Sequence, residues 1–220
     1  MSRLALLHRS TVGKKAILAL SGLLLVAFVV AHLAANLLIL APGGVARVDA
    51  YARALHGMPV LLWGARAGLL AAAVVHVAIA LDLARIQRAA RPIDYRARRD
   101  RQASLASRTM LPTGLLLALF LPIHLANLTW GNLHPRFAPL APGENLVALF
   151  RGPLTSAFYL VVLLALALHL GHGSRSLFQS LGVSPAGHAA VPRRLATALG
   201  LLIAAGFAAV VVAALSRRLG

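Results

Sequence analysis

The sequence predicts an all-α integral membrane protein with five transmembrane helices, and three observations carry that reading. Of 220 residues, 60% are hydrophobic and 12% charged, with a mean hydropathy of +0.81, far from the balance of a soluble globular domain. Five apolar runs each approach the roughly 20 helical residues that a hydrocarbon core of about 30 Å requires. The 22 Lys and Arg, set against 5 Asp and Glu for a net charge of +17, fall mostly between those runs. That pattern encodes orientation; a nucleic-acid surface would interleave its basic residues with aromatics, and no nucleic-acid partner is expected. The chain contains no cysteine, which excludes disulfides, thiolate-bound metals and iron–sulfur clusters within it, so any redox metal must sit on nitrogen ligands.

The first span runs from Ala16 to Leu40, after a basic start but without a small-residue cleavage site, so it reads as a membrane helix and not a removed signal. It carries His32 inside the oily stretch VVAHLAANLLIL. A polar loop with Asp49, Tyr51, Arg53 and His56 leads to the second span, Leu61 to Leu83, which holds Arg66 and His76. The third span, Met110 to Trp130, has Pro112 near its start, where proline suits a first helical turn, and Pro122 inside it, where a kink just before His124 is expected. The connection from Gly131 to Gly152 is rich in proline and has room for a short interfacial helix. The fourth span, Leu154 to Leu170, ends on His169, with His172 just beyond it, and the fifth runs from Leu195 to Leu215. Residues 1–220 thus form a single membrane domain.

Five spans place the termini on opposite sides. The N-terminal side collects fifteen basic residues: Arg3, Arg9, Lys14 and Lys15, eight arginines from Arg85 to Arg108, and Arg175, Arg193 and Arg194. The other side has seven: Arg47, Arg53, Arg66, Arg136, Arg151, Arg217 and Arg218. The positive-inside rule therefore puts the N-terminus in the cytoplasm, with the bacterial inner membrane as the expected location. The eight-arginine loop also suits anionic lipid headgroups or an acidic partner surface, beside its plain role as a topology signal.

Of nine histidines, four lie within spans, one on each of the first four helices. An ionisable side chain at membrane depth marks a functional site by default, because it must find a partner away from water. As the chain alternates direction, His32 and His124 fall past the midpoints of outward-running helices, and His76 and His169 past the midpoints of inward-running ones. The rise of about 1.5 Å per residue then gives two pairs, one in each half of the membrane. HLAAN at 32–36 echoes HLAN at 124–127, and the intervals 32 to 76 and 124 to 169 are nearly equal. Such a parallel repeat implies a pseudo-two-fold axis along the membrane normal. A lone membrane histidine can simply bond a neighbouring carbonyl, but four at two matched depths fit haem b, whose bis-imidazole iron is low-spin and suited to electron transfer. Zinc would ask for four ligands at one depth. Read as an axial ligand, His32 would present Nε2 to the metal and bond Nδ1 to a backbone carbonyl one turn back. Ser21 and Gly22, on the face of His32, would give a porphyrin room against the helix, or serve only in helix packing.

Arg66 is placed either to pair with a haem propionate or to snorkel to the interface. Asp49, Tyr51, Arg53 and His56 can bind or deprotonate a quinol, or form an ordinary polar loop. His172 lies near the helical face of His169, where it can reach a propionate or a subunit contact. His8, His134 and His188 sit in polar segments and read as solvated.

Three stretches, STVGKKAILALSGLLL, HLAANLL and HLGHGSRSLFQSLG, together with one histidine per helix, resemble the single-chain, five-helix, di-haem cytochrome b of succinate dehydrogenases and fumarate reductases. The likeness covers essentially the whole chain. It implies that His32 with His124 ligates an outer haem and His76 with His169 an inner one. It further implies flavoprotein and iron–sulfur subunits on the cytoplasmic face, passing electrons from succinate through two haem b to a quinone, with menaquinone the expected type; the dicarboxylate chemistry lies in those partners. Some fumarate reductases of this family carry a glutamate two residues before the fourth ligand, proposed to carry a proton; here that position is Ala167. Two other readings compete: a different di-haem, quinone-linked cytochrome b subunit, and a proton-coupled transporter using the histidines as a relay. Cytochromes that stack two histidines on one helix do not match these spans, and Asp82, near a helix end, is the sole acid within them.

Overall fold

A computed structural model describes residues 10–90, 105–134, 136–180 and 190–217. Within them the chain forms seven α-helices: α1 (Thr11–Leu37, extended by a 3-10 turn Leu38–Leu40), α2 (Gly44–His56), α3 (Pro59–Ala89), α4 (Leu105–Leu128), α5 (Pro142–Phe150), α6 (Pro153–Ser180) and α7 (Ala190–Ser216). Five segments are long and apolar enough to cross a membrane, Thr11–Leu40, Pro59–Ala89, Arg108–Leu128, Pro153–Leu177 and Arg194–Ser216, so the chain is a multi-pass membrane protein in architecture. His8, His188 and the arginines from Arg91 to Arg101 lie outside the described residues.

Local chemistry sets the helix starts. Ser10 caps α1, its Oγ accepting from the Gly13 N–H at 3.0 Å, which satisfies one of the donors a helix N-terminus leaves over. Pro59 and Pro142 open α3 and α5, where a missing N–H is harmless. Pro112, by contrast, is not in a first turn, because α4 begins at Leu105 and runs continuously through both Pro112 and Pro122 to Leu128.

The long helices pack as two hairpins, α1 on α3 and α4 on α6, joined mainly where α1 meets α6; α3 and α4 barely touch. In this ring, α1 stands diagonally from α4 and α3 from α6. The fifth long helix, α7, lies along α6 and reaches α1. Its approach depends on missing side chains: a Cβ on Gly200 would lie 2.6 Å from the Ala167 carbonyl oxygen, and one on Gly206 would lie 2.9 Å from Leu33 Cδ2.

At one end of the bundle α2 and α5 fold over each other and form a lid. The segment expected to be a polar loop is therefore a helix, and the signal was present: Val45, Val48, Ala52 and Leu55 recur at helical spacing on one face. Gly44 turns tightly against Ile39 and Gly143 against Val45, with space at neither for a Cβ. Beneath the lid, Ile39, Val48, Val147, Phe150, Tyr159, Val210 and Ala214 form the main apolar core, and the Arg217 guanidinium donates to the Ile39 carbonyl.

Polar groups lock the lid. Asp49 is 5% exposed, and its Oδ1 accepts from the Gly143 N–H at 2.7 Å. His134, expected to be solvated, is buried at 7% exposure. Its Nε2 donates to the Asn145 carbonyl at 3.0 Å and its Nδ1 accepts from the Arg136 N–H at 3.0 Å, so two backbone partners replace water. Asn145 clasps the same turn through Ala138, accepting at 2.9 Å and donating at 2.9 Å.

Asp49→Ala would strand a buried Gly143 N–H, and the expected loss is about 1–3 kcal/mol, seen as a lower unfolding temperature in detergent. Arg53→Ala, on the exposed side of α2, should stay within about 0.5 kcal/mol of the parent. Equal unfolding temperatures for the two variants would refute the lid role given to Asp49.

Candidate functional site: two diagonal histidine pairs

The bundle brings the four intramembrane histidines together in twos. His32 on α1 and His124 on α4 have ring centroids 5.9 Å apart with planes at 87°. His76 on α3 and His169 on α6 are 6.4 Å apart at 67°. Each pair spans one diagonal of the ring, so it closes a gap that the helix backbones leave open. The His32–His124 pair lies toward the α2/α5 lid and the His76–His169 pair toward the other end, where Lys14 and Asp82 join α1 to α3 through an ion pair at 2.5 Å.

The internal repeat is written into the ring environments. Ser21 and Gly22 on α1 face His76, with Ser21 Oγ 3.2 Å from Nδ1 and an added Gly22 Cβ only 3.1 Å from Cε1. Thr113 and Gly114 on α4 face His169 in the same way, at 3.4 Å and 3.0 Å. Ser21 and Thr113, Gly22 and Gly114, and His32 and His124 are each 92 residues apart. Ser21 and Gly22, on the helical face of His32, thus lie against the His76 ring: across a hairpin, the neighbouring helix presents its histidine to that face. The Thr113–Gly114 copy was legible as a repeat of the same hydroxyl–glycine step, eleven residues before a histidine.

These contacts define which nitrogen carries hydrogen. Ser21 donates its only hydroxyl hydrogen to the Ile17 or Leu18 carbonyl, at 2.8 Å and 3.1 Å, and so meets His76 Nδ1 as an acceptor. Thr113 does the same through Thr109 and Met110, at 2.6 Å and 3.1 Å. Both rings therefore carry Nδ1–H and keep the Nε2 lone pair. The Leu18 and Met110 carbonyls also lie within hydrogen-bonding reach of His76 and His169. At both rings the partners come from the adjacent helix.

The other pair is less symmetric. His32 is wedged between Phe28 and Phe207, at centroid distances of 5.4 Å and 5.8 Å. Asn36 Nδ2 donates to the His32 carbonyl at 2.8 Å and lies 3.4 Å from its Nε2. His124 packs against Phe120, and its Nδ1 lies 3.4 Å from the Tyr159 hydroxyl. Tyr159 and Asn127, both buried, were not singled out from sequence.

The remaining expected residues separate. Tyr51 and Arg53 are exposed on α2, while Asp49 faces the opposite way into the lid. Arg66 lies over Trp63, 4.9 Å from its ring centroid, and with His56, Thr129, Phe137 and Asn145 lines a cleft of 310 Å³ under the lid. His172 is half-buried on α6.

Among the described residues no three His, Cys, Asp or Glu side chains converge on one point, and each pair brings two imidazoles together. Two imidazoles on opposite sides of one metal, with metal–nitrogen bonds of about 2 Å, have centroids about 6 Å apart. Both pairs meet that spacing, although ordinary edge-to-face packing spans it too. The Nδ1–H tautomer at His76 and His169, and glycines that keep α1 and α4 flat beside those rings, are what fit a bis-imidazole prosthetic group. Comparison with protein-family models, with curated proteins and with solved structures finds no match.

Gly22→Ala and Gly114→Ala should each destabilise the bundle by about 1–3 kcal/mol through overpacking against an imidazole. Gly64 and Gly68 have nothing within 4 Å of an added Cβ, so alanine there should stabilise by about 0.5–1 kcal/mol. Unfolding of the four variants in one detergent checks the contrast; the same sign at all four would refute the packing assigned to Gly22 and Gly114.

Proposed function

We propose that this chain is the haem b membrane subunit of a succinate:quinone oxidoreductase, conducting electrons between a partner on one face and a quinone near the other. The observation that carries the reading is the pair of diagonals: two imidazoles facing each other at each of two levels, with two of the rings held by hydroxyls in the tautomer that leaves Nε2 free. In this reading His76 and His169 hold the inner haem and His32 and His124 the outer one. When bound, each haem supplies a low-spin iron that exchanges one electron without opening a coordination position. The chain's own residues hold the ligand rings, exclude water through the apolar walls of α1, α4 and α6, and position the quinone.

The lid end is the proposed quinone side. His56 and Arg66 line its cleft and are suited to donate to a quinone carbonyl, with Arg66 also in place to meet a propionate. Asp49 is spent on the lid and Tyr51 and Arg53 face away, so they are not assigned to the quinone. The charge asymmetry supports a cytoplasmic side for the opposite end, where flavoprotein and iron–sulfur subunits would dock beside His172 and the arginine-rich connection. A bacterial inner membrane is the proposed location. The family resemblance supplies succinate as the electron source, and the absence of thiolate ligands in this chain is consistent with iron–sulfur clusters residing in a partner.

The test is spectroscopic. Purified chain should bind two b-type haems, measured as pyridine haemochromogen per polypeptide. His76→Ala and His169→Ala should each lose the same one, while His32→Leu and His124→Leu should each lose the other, leucine keeping the helices insertable. A well-folded preparation devoid of haem would end this reading, and a single histidine variant that kept both native spectra would break the pairing.

A further inference from the structure

The HLAAN and HLAN copies match at the histidine and part at the asparagine. On the 92-residue repeat that relates Ser21 to Thr113 and His32 to His124, the position equivalent to Asn36 is Leu128. Asn36 therefore answers to something particular to the first hairpin. It stands one turn after His32, near the end of α1 and inside a membrane-spanning segment, where a primary amide must find protein partners for its hydrogens. It finds both on one residue: Nδ2 is 2.8 Å from the His32 carbonyl oxygen and 3.4 Å from His32 Nε2.

These two contacts fix each other. A carbonyl oxygen only accepts, so the edge of the amide that meets the His32 carbonyl is its NH2 edge, which sets the orientation of the Asn36 side chain. An amide nitrogen only donates, so Nε2 meets the second Nδ2 hydrogen as an acceptor; an Nε2–H would point one hydrogen at another. We propose that Asn36 is a positioning residue for His32, its amide bridging the His32 carbonyl and Nε2 so that the ring hydrogen stays on Nδ1 and the Nε2 lone pair is kept for a metal. The proposal rests on the reading of His32 as an axial ligand. When a metal takes that lone pair, Asn36 retains its 2.8 Å bond to the carbonyl, and only the longer contact is released. Ser21 and Thr113 act on His76 and His169 from the opposite edge of the ring, at Nδ1. The phenylalanine rings beside His32, Phe28 and Phe207, carry no hydroxyl for that purpose, and the same tautomer is reached from the Nε2 side.

Nitrogen-15 NMR of the haem-free, full-length chain with labelled histidine, at a pH alkaline enough to keep imidazole neutral, reads the tautomer directly; the His32 signals are assigned by their loss in His32→Leu. The parent should show Nδ1–H and an unprotonated Nε2 at His32. Asn36→Leu removes both contacts. Asn36→Ser keeps only the first, because a serine hydroxyl returns its one hydrogen to the carbonyl four residues back, as Ser21 does to Ile17. Both variants should turn His32 into a mixture of tautomers and leave His76 and His169 as in the parent, and both should weaken haem binding at the His32–His124 site about 10-fold with the other site unchanged. If Asn36→Leu does not fold, Asn36→Ser makes the same test alone. Nε2–H at His32 in the parent, an unchanged His32 tautomer in Asn36→Ser, or undiminished haem affinity in the variants would overturn the proposal. A parent that binds no haem would instead overturn the proposed function, and the NMR series would still decide whether Asn36 sets the tautomer.

Discussion

An imidazole inside a low-dielectric bundle has two nitrogens to satisfy, and leaving either one bare costs free energy that water cannot return. Three of the four intramembrane histidines meet that constraint on one side of the ring with a neighbouring hydroxyl. Nδ1 turns to a hydroxyl on the neighbouring helix of the same hairpin at His76, His169 and His124, while the rings meet in pairs across the diagonals. Hairpin packing and diagonal facing are therefore one arrangement. The hydroxyl fixes the ring from the side, and the glycine next to it in the Ser21–Gly22 and Thr113–Gly114 steps brings the helix close enough for the bond to form.

That constraint also accounts for the uneven packing of the bundle. The most buried long helices are α6 and α7, while α1, α3 and α4 bury few residues of their own. The α6–α7 contact is a close backbone approach over Gly200 and Ala167. Ala167 is itself buried there, at the contact between the two helices.

The lid is a second consequence of burying polar groups. Short helices α2 and α5 cover the end of the bundle only because Asp49, His134 and Asn145 satisfy the backbone groups their turns expose. With those residues committed to structure, the polar side chains left to line the cleft are few, His56 and Arg66 foremost. The division between holding the lid and meeting a ligand follows from burial, and residue type alone does not reveal it.

Hydropathy, the charge distribution and one histidine per helix determined the five-helix class, the approximate spans and the presence of two histidine levels, because each depends on the bilayer's thickness and on periodicity along one chain. The repeat in HLAAN and HLAN likewise implied that His32 should stand opposite His124. Which helix supplies the partner of each ring was decided only by tertiary structure. Ser21 lies on the same helical face as His32 by sequence spacing, yet it touches His76, because a hairpin neighbour comes nearer to that face than anything on its own helix can. Tyr159 gave no periodic signal, being one aromatic residue in an apolar run, and meets His124 only because α6 sets its hydroxyl beside that ring. His134 and Asp49 looked like solvated loop residues for the same reason: a polar side chain in a polar segment reads as exposed until two short helices close over it and supply backbone groups in place of water.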